Sequence, residues 1–265
     1  MKVSISRVKT FKACRRSYFF KYMEDLTPVN TSESLTTGKK YHELIELYHN
    51  GKGEEIVPEF TMKYAMFCAY RKYIFPFMPS DMVSEVDFDI HITDEDELVG
   101  RVDGYCQKSG IVIEHKTTSM EIDEAYEYDL LWDEQILAYM LAMCTRTIIY
   151  TVCRKPNIRM KKNETDEEFF YRMVDWYEED TASKIRVFMI ERTEEEVSNF
   201  KTELVSIIGT MKEAEFMENM YRNTLHCFRW GRRCEYAPIC LNYNKNEQYV
   251  EFKKGERYGI KDDNE

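Results

Sequence analysis

A chain of 265 residues is long enough for one large domain or two small ones, with ample length to bury a core. Hydrophobic residues make up 43% and charged residues 32%, and no run approaches the roughly 20 apolar residues of a membrane span, so the composition is that of a soluble globular protein. A net charge of −11 argues against broad, non-specific binding to nucleic acid while leaving room for a local basic groove.

Met1–Lys12 has no apolar signal-peptide core, so the expected location is cytoplasmic. Eight cysteines in such a chain read as thiols or metal ligands and not as a disulfide framework. Ser4–Met23 predicts one helix, with Phe11, Cys14, Tyr18, Phe19 and Tyr22 at helical spacing and Ser4 or Ser6 as cap. Arg7, Lys9, Lys12, Arg15, Arg16 and Lys21 make it the most basic stretch, which on its own fits a solvated face. Thr36–Asn50 predicts an amphipathic helix with His42 and Glu46 one turn apart; a lone helical histidine is most often structural. Pro58–Phe77 predicts an aromatic helix ended by Pro76 and Pro79, and Val83–Ile92 alternates as a strand whose Glu85, near its start, either approaches the site or, the commoner reading, is a surface glutamate.

Leu98–Cys106 and Ile111–Lys116 are β-rich runs joined by Gln107-Lys108-Ser109-Gly110, a hairpin signal. Glu114 and Lys116 share one strand face, His115 takes the other, and Asp103 lies on the partner strand within reach of the first. Charge at the end of an otherwise apolar strand is costly unless paired. Two readings answer that cost: a structural Glu–Lys ion pair, or two carboxylates holding a hard divalent cation beside a lysine that orients water. Asp129–Cys144 then predicts a helix on which Gln135 and Tyr139 share a face. Thr147–Cys153 is a strand, Arg154–Lys162 a basic loop, and Thr165–Asp180 a helix with a Thr165/Glu168 capping box. Ile185–Ile190 reads as a strand, and Thr193/Glu196 caps a long helix to about Met220. Cys227, Cys234 and Cys240 form a compact late cluster, for which zinc with His226 as a fourth ligand is one reading. Cys68, Cys106, Cys144 and Cys153 sit in apolar runs and read as core thiols.

Asp103 followed by Glu114-x-Lys116 resembles the PD-(D/E)XK nuclease signature. A glycine four residues before His42, and Gln135-Ile-Leu-Ala-Tyr139 on the next helix, resemble the RecB-type branch of that superfamily. Cys14, in FKACRRSYFFKY, together with the three late cysteines, is similar to the ligand set of members that carry an iron–sulfur cluster, such as the CRISPR adaptation nuclease and AddB-type nuclease domains. The six residues between Cys227 and Cys234 depart from the tighter spacing common there, which bears on cluster type.

The resemblance implies a restriction-endonuclease-like α/β fold: a single domain over residues 1–265, with a central mixed sheet flanked by helices. Within it fall a cluster helix at about 4–23, a nuclease core at about 36–192, and a C-terminal helix and cluster loop at about 193–245. It implies a metal-dependent deoxyribonuclease, in the first instance an exonuclease on single-stranded DNA ends. Mg²⁺ or Mn²⁺ would be held by His42, Asp103, Glu114 and the His115 carbonyl, with Lys116 activating water and Gln135 and Tyr139 bracing the catalytic face. It implies an iron–sulfur cluster (4Fe–4S, with zinc as the alternative) on Cys14, Cys227, Cys234 and Cys240. Arg15, Arg16, Lys155, Arg229, Arg232 and Arg233 are candidates for holding phosphates. The chain has no Gly-x-x-x-x-Gly-Lys-Ser/Thr loop, so a helicase or recombination partner would supply any motor. The rival readings are a nuclease-fold binding or accessory subunit without turnover, and a zinc-binding interaction protein; oligomeric state is not specified.

Overall fold

Capping side chains fix where several helices start. The computed structural model describes residues 1–29, 33–229, 232–241 and 252–254. It opens with β1 (Lys2–Val3) and α1 (Ile5–Ala13), whose Ser4 cap accepts the Arg7 N–H at 3.3 Å. The single helix expected through Met23 is interrupted, because Cys14 is extended (φ −165°, ψ 116°); the chain resumes as α2 (Arg15–Tyr18) and a π-helical turn, Phe19–Met23. β2 (Leu26–Pro28) and α3 (Glu33–His49) follow. α4 (Met62–Tyr73) is shorter than expected: Thr61 caps its start, and Pro76 belongs to a 3₁₀ turn beyond its end. Next come β3 (Met82–His91), β4 (Glu97–Cys106) and β5 (Ile111–Thr118), then α5 (Glu124–Asp129) and α6 (Glu134–Ala142). The regular part of α6 begins later than Asp129 because Leu130–Trp132 is 3₁₀ and Asp133 caps the helix through the Gln135 N–H. β6 (Thr147–Arg154), α7 (Asp166–Glu179) with the Thr165/Glu168 capping box, β7 (Ile185–Glu191) and α8 (Glu194–Phe216) complete the larger elements. β8 (Phe228–Arg229), β9 (Arg232–Arg233), α9 (Ala237–Leu241) and β10 (Phe252–Lys254) close the described chain, so residues 242–245 of the expected cluster loop lie outside it.

The chain divides into two compact units. In the unit of Ser32–Phe88 and Arg101–Ser198, the Gln107–Gly110 turn closes the hairpin. Gly110 takes φ +68° there, a conformation glycine adopts without a Cβ clash, and its N–H reaches the Cys106 carbonyl at 2.8 Å. β5 pairs antiparallel with β4 (Gly104 opposite Ile113) and parallel with β6 (Val112 opposite Ile148), while β7 runs antiparallel to β6 and β3 pairs with β4. The sheet is therefore mixed. Alternation sorts its two faces. Val112, Ile148, Tyr150, Val152, Phe188 and Ile190 pack with Ile136, Tyr139 and Met140 of α6. Cys153 and Ile185 pack with Tyr41 and Ile45 of α3, Phe67 and Tyr70 of α4, and Trp176 and Tyr177 of α7. Each fully buried side chain of this kind contributes roughly 1.5–3 kcal/mol relative to an exposed one. A central sheet flanked by helices follows from that two-sided apolar pattern.

The second unit gathers Met1–Thr31, Asp89–Gly100 and Asn199–Glu265. There β1 runs parallel to Glu97 and Leu98, β10 pairs antiparallel with β2, and Phe20, Leu26, Tyr236 and Phe252 form a small core. Tyr18 donates to the Glu215 carboxylate, which also accepts from Arg7 at 3.4 Å. Among the described residues no helix is long and apolar enough to cross a membrane.

Candidate active site

The two-residue period of β5 sends Glu114 and Lys116 to the α6 side and the ring of His115 to the other. Glu114 is buried, and its Oε1 accepts from Lys116 Nζ and, at 3.1 Å, from Gln135 Nε2. Lys116 Nζ also donates to Gln135 Oε1 at 2.9 Å, and Gln135 Nε2 donates to Tyr139 Oη at 2.6 Å. The Asp133 cap starts α6 just ahead of Gln135, and one helical turn then sets Tyr139 behind it. The other oxygen of Glu114, Oε2, is buried and has no hydrogen-bond partner among the described residues. Burial first, and the neighbouring Asp103 second, push the Glu114 carboxyl upward. A bare buried carboxylate oxygen costs free energy that a cation would relieve.

Asp103 lies where the β4–β5 ladder gives way: beyond Gly104 opposite Ile113, the His115 N–H donates to Asp103 Oδ2 at 2.7 Å. Its Oδ1 is 3.4 Å from His42 Nδ1. Burial opposes the Asp103 charge, yet His42, His115 and Lys116 together hold its carboxyl well below the usual carboxylate range. Burial likewise opposes the His42 imidazolium, but Asp103 outweighs it and raises the histidine.

Glu85 joins them, the less common of its two sequence readings. It takes φ +53° within β3, and a ligand atom from each of His42, Glu85 and Asp103 lies within 4.8 Å of the other two. Burial, then Asp103 and Glu46, push the Glu85 carboxyl upward. A non-glycine residue in that left-handed region costs on the order of 1–3 kcal/mol and is re-aimed relative to regular alternation. Regular strand alternation carries no sign of that re-aiming, which is why a surface glutamate is the readier reading.

His42, Glu46, Glu85 and Asp103 line a cleft of about 680 Å³ together with Lys39, Arg101 and Lys155. The His115 ring lies edge-on to the His42 ring at 6.3 Å, buried behind it and outside the cleft lining. Its Nδ1 meets Thr151 Oγ1 at 2.7 Å, Tyr70 packs edge-on against it, and burial lowers it to about 3, so it is neutral. Of the phosphate candidates, Lys155 lines the cleft, while Arg16 and Arg233 line a cavity of the other unit. Arg15 there stacks on Phe11 and Tyr221, Arg229 lies in β8, and the Arg232 side chain is outside the described residues.

That other cavity, of about 580 Å³, is lined by Cys14, Cys227, Cys234 and Cys240, the four thiols singled out in the sequence. The extended backbone at Cys14 presents its Sγ to the Asn223 N–H at 3.4 Å, and Ser17 Oγ lies 3.5 Å from Cys234 Sγ. Burial works against a Cys14 thiolate, but the N–H groups of Asn223, Ser17 and Arg16 more than offset it and lower the thiol. Cys106 and Cys153 are buried core thiols, Cys68 is half-buried, and Cys144 is exposed, against its core reading.

The model of a family described as the PD-(D/E)XK nuclease superfamily matches residues 2–241. Among solved structures the chain is similar to the crystal structure of SSO0001, at 14% identity over 90% of this chain and 85% of that one, with a TM-score of 0.46. It is also similar to a phage related exonuclease from Haemophilus somnus 129PT, at 14% identity over 82% of this chain and 96% of that one, with a TM-score of 0.42. No curated protein matches the sequence.

Proposed function

The chain belongs to the PD-(D/E)XK nuclease superfamily, and from that premise we propose that it is a divalent-metal-dependent exonuclease of the RecB-type branch acting on single-stranded DNA ends. One observation carries the reading: His42, Glu85 and Asp103 converge beside a buried Glu114 whose second oxygen lacks a partner among the described residues, at the point where the β4–β5 ladder opens. Those side chains, with the His115 carbonyl, would hold Mg²⁺ or Mn²⁺, and an imidazole in the set favours Mn²⁺. The bound ion supplies neutralisation of phosphate charge and acidifies water. Lys116 orients the attacking water and stabilises the charge that develops on the phosphate; Gln135 Oε1 holds Lys116 by accepting a hydrogen bond from its ammonium, and Tyr139 Oη accepts in turn from Gln135 Nε2. Lys39, Arg101 and Lys155 in the cleft draw the strand's phosphates toward the acidic group.

An iron–sulfur cluster, in the first instance 4Fe–4S, is the group we assign to the four-cysteine cavity. Four thiols lining one space, with N–H donors lowering one of them, fit cysteinate ligation, the ligand set of such a cluster. The cluster's role in this reading is structural.

The test is direct. End-labelled single-stranded DNA incubated with the purified protein and Mn²⁺ or Mg²⁺ should be shortened from an end, and Lys116→Ala should slow cleavage by roughly 10²–10³-fold. Intact substrate with either ion, or wild-type cleavage by Lys116→Ala, would overturn the assignment.

A further inference from the structure

We propose that Tyr128 and Trp132 form a stacking platform for the unpaired nucleobases of the substrate strand, next to Lys116 and Gln135; this rests on the nuclease reading and assigns residues to its substrate. The segment joining β5 to α6 is anchored by Ile122 and Leu130, which are buried in the sheet's apolar cluster. Tyr128 and Trp132 on the same segment stand outward, 60% and 71% exposed. Their rings meet at 6.4 Å and 66°, an edge-on pair that leaves broad ring faces open. Large aromatic groups held out on a well-anchored segment mark a binding surface.

Position ties the pair to the site. Trp132 precedes Gln135 by three residues, so their Cα atoms are at most about 11 Å apart, roughly three nucleotides of a stacked strand. Gln135 Oε1 accepts from Lys116 Nζ at 2.9 Å, and the charge of Asp133, between Trp132 and Gln135, acts on Lys116.

Charge then selects what can lie there. Residues 121–134 carry seven carboxylates and no lysine or arginine. Glu121 reaches Arg154 at 3.3 Å, Glu127 reaches Arg186 at 3.4 Å and Arg192 donates to the Leu130 carbonyl at 3.2 Å, so the segment's carboxylates still outnumber the cations that reach it in these contacts. The cleft differs in setting Lys39, Arg101 and Lys155 among its carboxylates Glu43, Glu46, Glu85 and Asp103, the last two in the group that would hold the cation. Phosphates are repelled from the platform, whereas the cleft offers them basic side chains and the cation it would hold, so the part of a strand that suits the aromatic pair is the uncharged face of a base. A duplex would bring a second phosphate backbone toward the carboxylates and would hide its base faces. The platform therefore favours an unpaired strand.

The experiment compares wild type, Trp132→Ala and Trp132→Phe in the full chain, with Ca²⁺ in place of Mn²⁺ so that binding is read without cleavage. The probes are a dye-labelled oligothymidylate and an abasic strand of equal length. Trp132→Ala should bind oligothymidylate about ten-fold more weakly, bind the abasic strand as wild type does, and melt at the wild-type temperature; Trp132→Phe should restore affinity. Unchanged oligothymidylate affinity, the result expected if the patch instead receives a basic protein, overturns the proposal, as does equal loss for the abasic strand. Cleavage by the wild type is read separately: base-dependent binding through Trp132 without any cleavage leaves the platform standing and removes the nuclease reading, and the converse pattern does the reverse.

Discussion

Glu85 shows what a single residue can hide from its sequence. Asp103 and Glu114-x-Lys116 are legible because strand alternation and a short turn suffice to bring them near one another, and Gln135 and Tyr139 because i, i+4 residues share a helix face. Glu85 enters the acidic group only through a positive φ in β3, a property with no composition signal for a glutamate. His42 is intermediate: its helix and its face are readable, its 3.4 Å approach to Asp103 is a tertiary fact. If both are metal ligands, His42→Ala and Glu85→Gln should each raise the Mn²⁺ concentration for half-maximal cleavage about ten-fold or more while the fold's melting temperature is kept. A metal titration that superimposes on wild type would return Glu85 to the role of a strained strand residue, and His42 to that of a helix-packing one.

At the scale of elements, period and capping carried most of the architecture. The α/β pattern with a central mixed sheet flanked by helices is the one found, consistent with a restriction-endonuclease-like fold. The departures have local causes that periodicity does not register. The first helix breaks because Cys14 adopts an extended backbone whose thiol meets an N–H from Asn223, far along the chain. α6 starts later than periodicity suggests because a 3₁₀ turn and the Asp133 cap precede it. The loop before α7 offers an element-scale test of electrostatics. Glu164 accepts from Arg172 at 2.7 and 2.8 Å and from the Lys161 N–H at 2.7 Å; chiefly the Arg172 guanidinium holds its carboxyl down to about 2. A depressed carboxyl stabilises the fold above the unfolded-chain value of about 4.3, and that stability is lost as pH falls toward 2. Glu164→Gln should therefore lower the melting temperature near neutrality and narrow its gap from wild type on acidification. A gap that stays constant from pH 7 to pH 3 would show that the Arg172 pairing contributes nothing.

Over the whole molecule, the question is what holds together a unit assembled from three separate stretches of chain. Protein contacts do part of it: Tyr18 and Arg7 both reach Glu215, Asn223 Nδ2 reaches the Ala13 carbonyl at 2.9 Å, and β10 pairs with β2. The four-cysteine cavity brings Cys14 beside Cys227, Cys234 and Cys240, more than 200 residues away in sequence. Closure entropy grows only as about 3/2 RT ln n, so each doubling of the loop adds just ~0.6 kcal/mol and the long span is no barrier. Cluster ligation would add its binding free energy to folding, since the unfolded chain has no preformed site. Cys14→Ala should then yield colourless protein without bound iron, quickly cut by protease, and inactive through instability. Cys68→Ala is the matched control: its thiol is half-buried in α4, away from the cavity lining, so colour, iron content and most of the stability should survive. A brown Cys14→Ala protein with wild-type iron would remove Cys14 from the ligand set. It would leave the contacts of Tyr18, Arg7, Asn223 and β10 as the ties between the unit's separate segments.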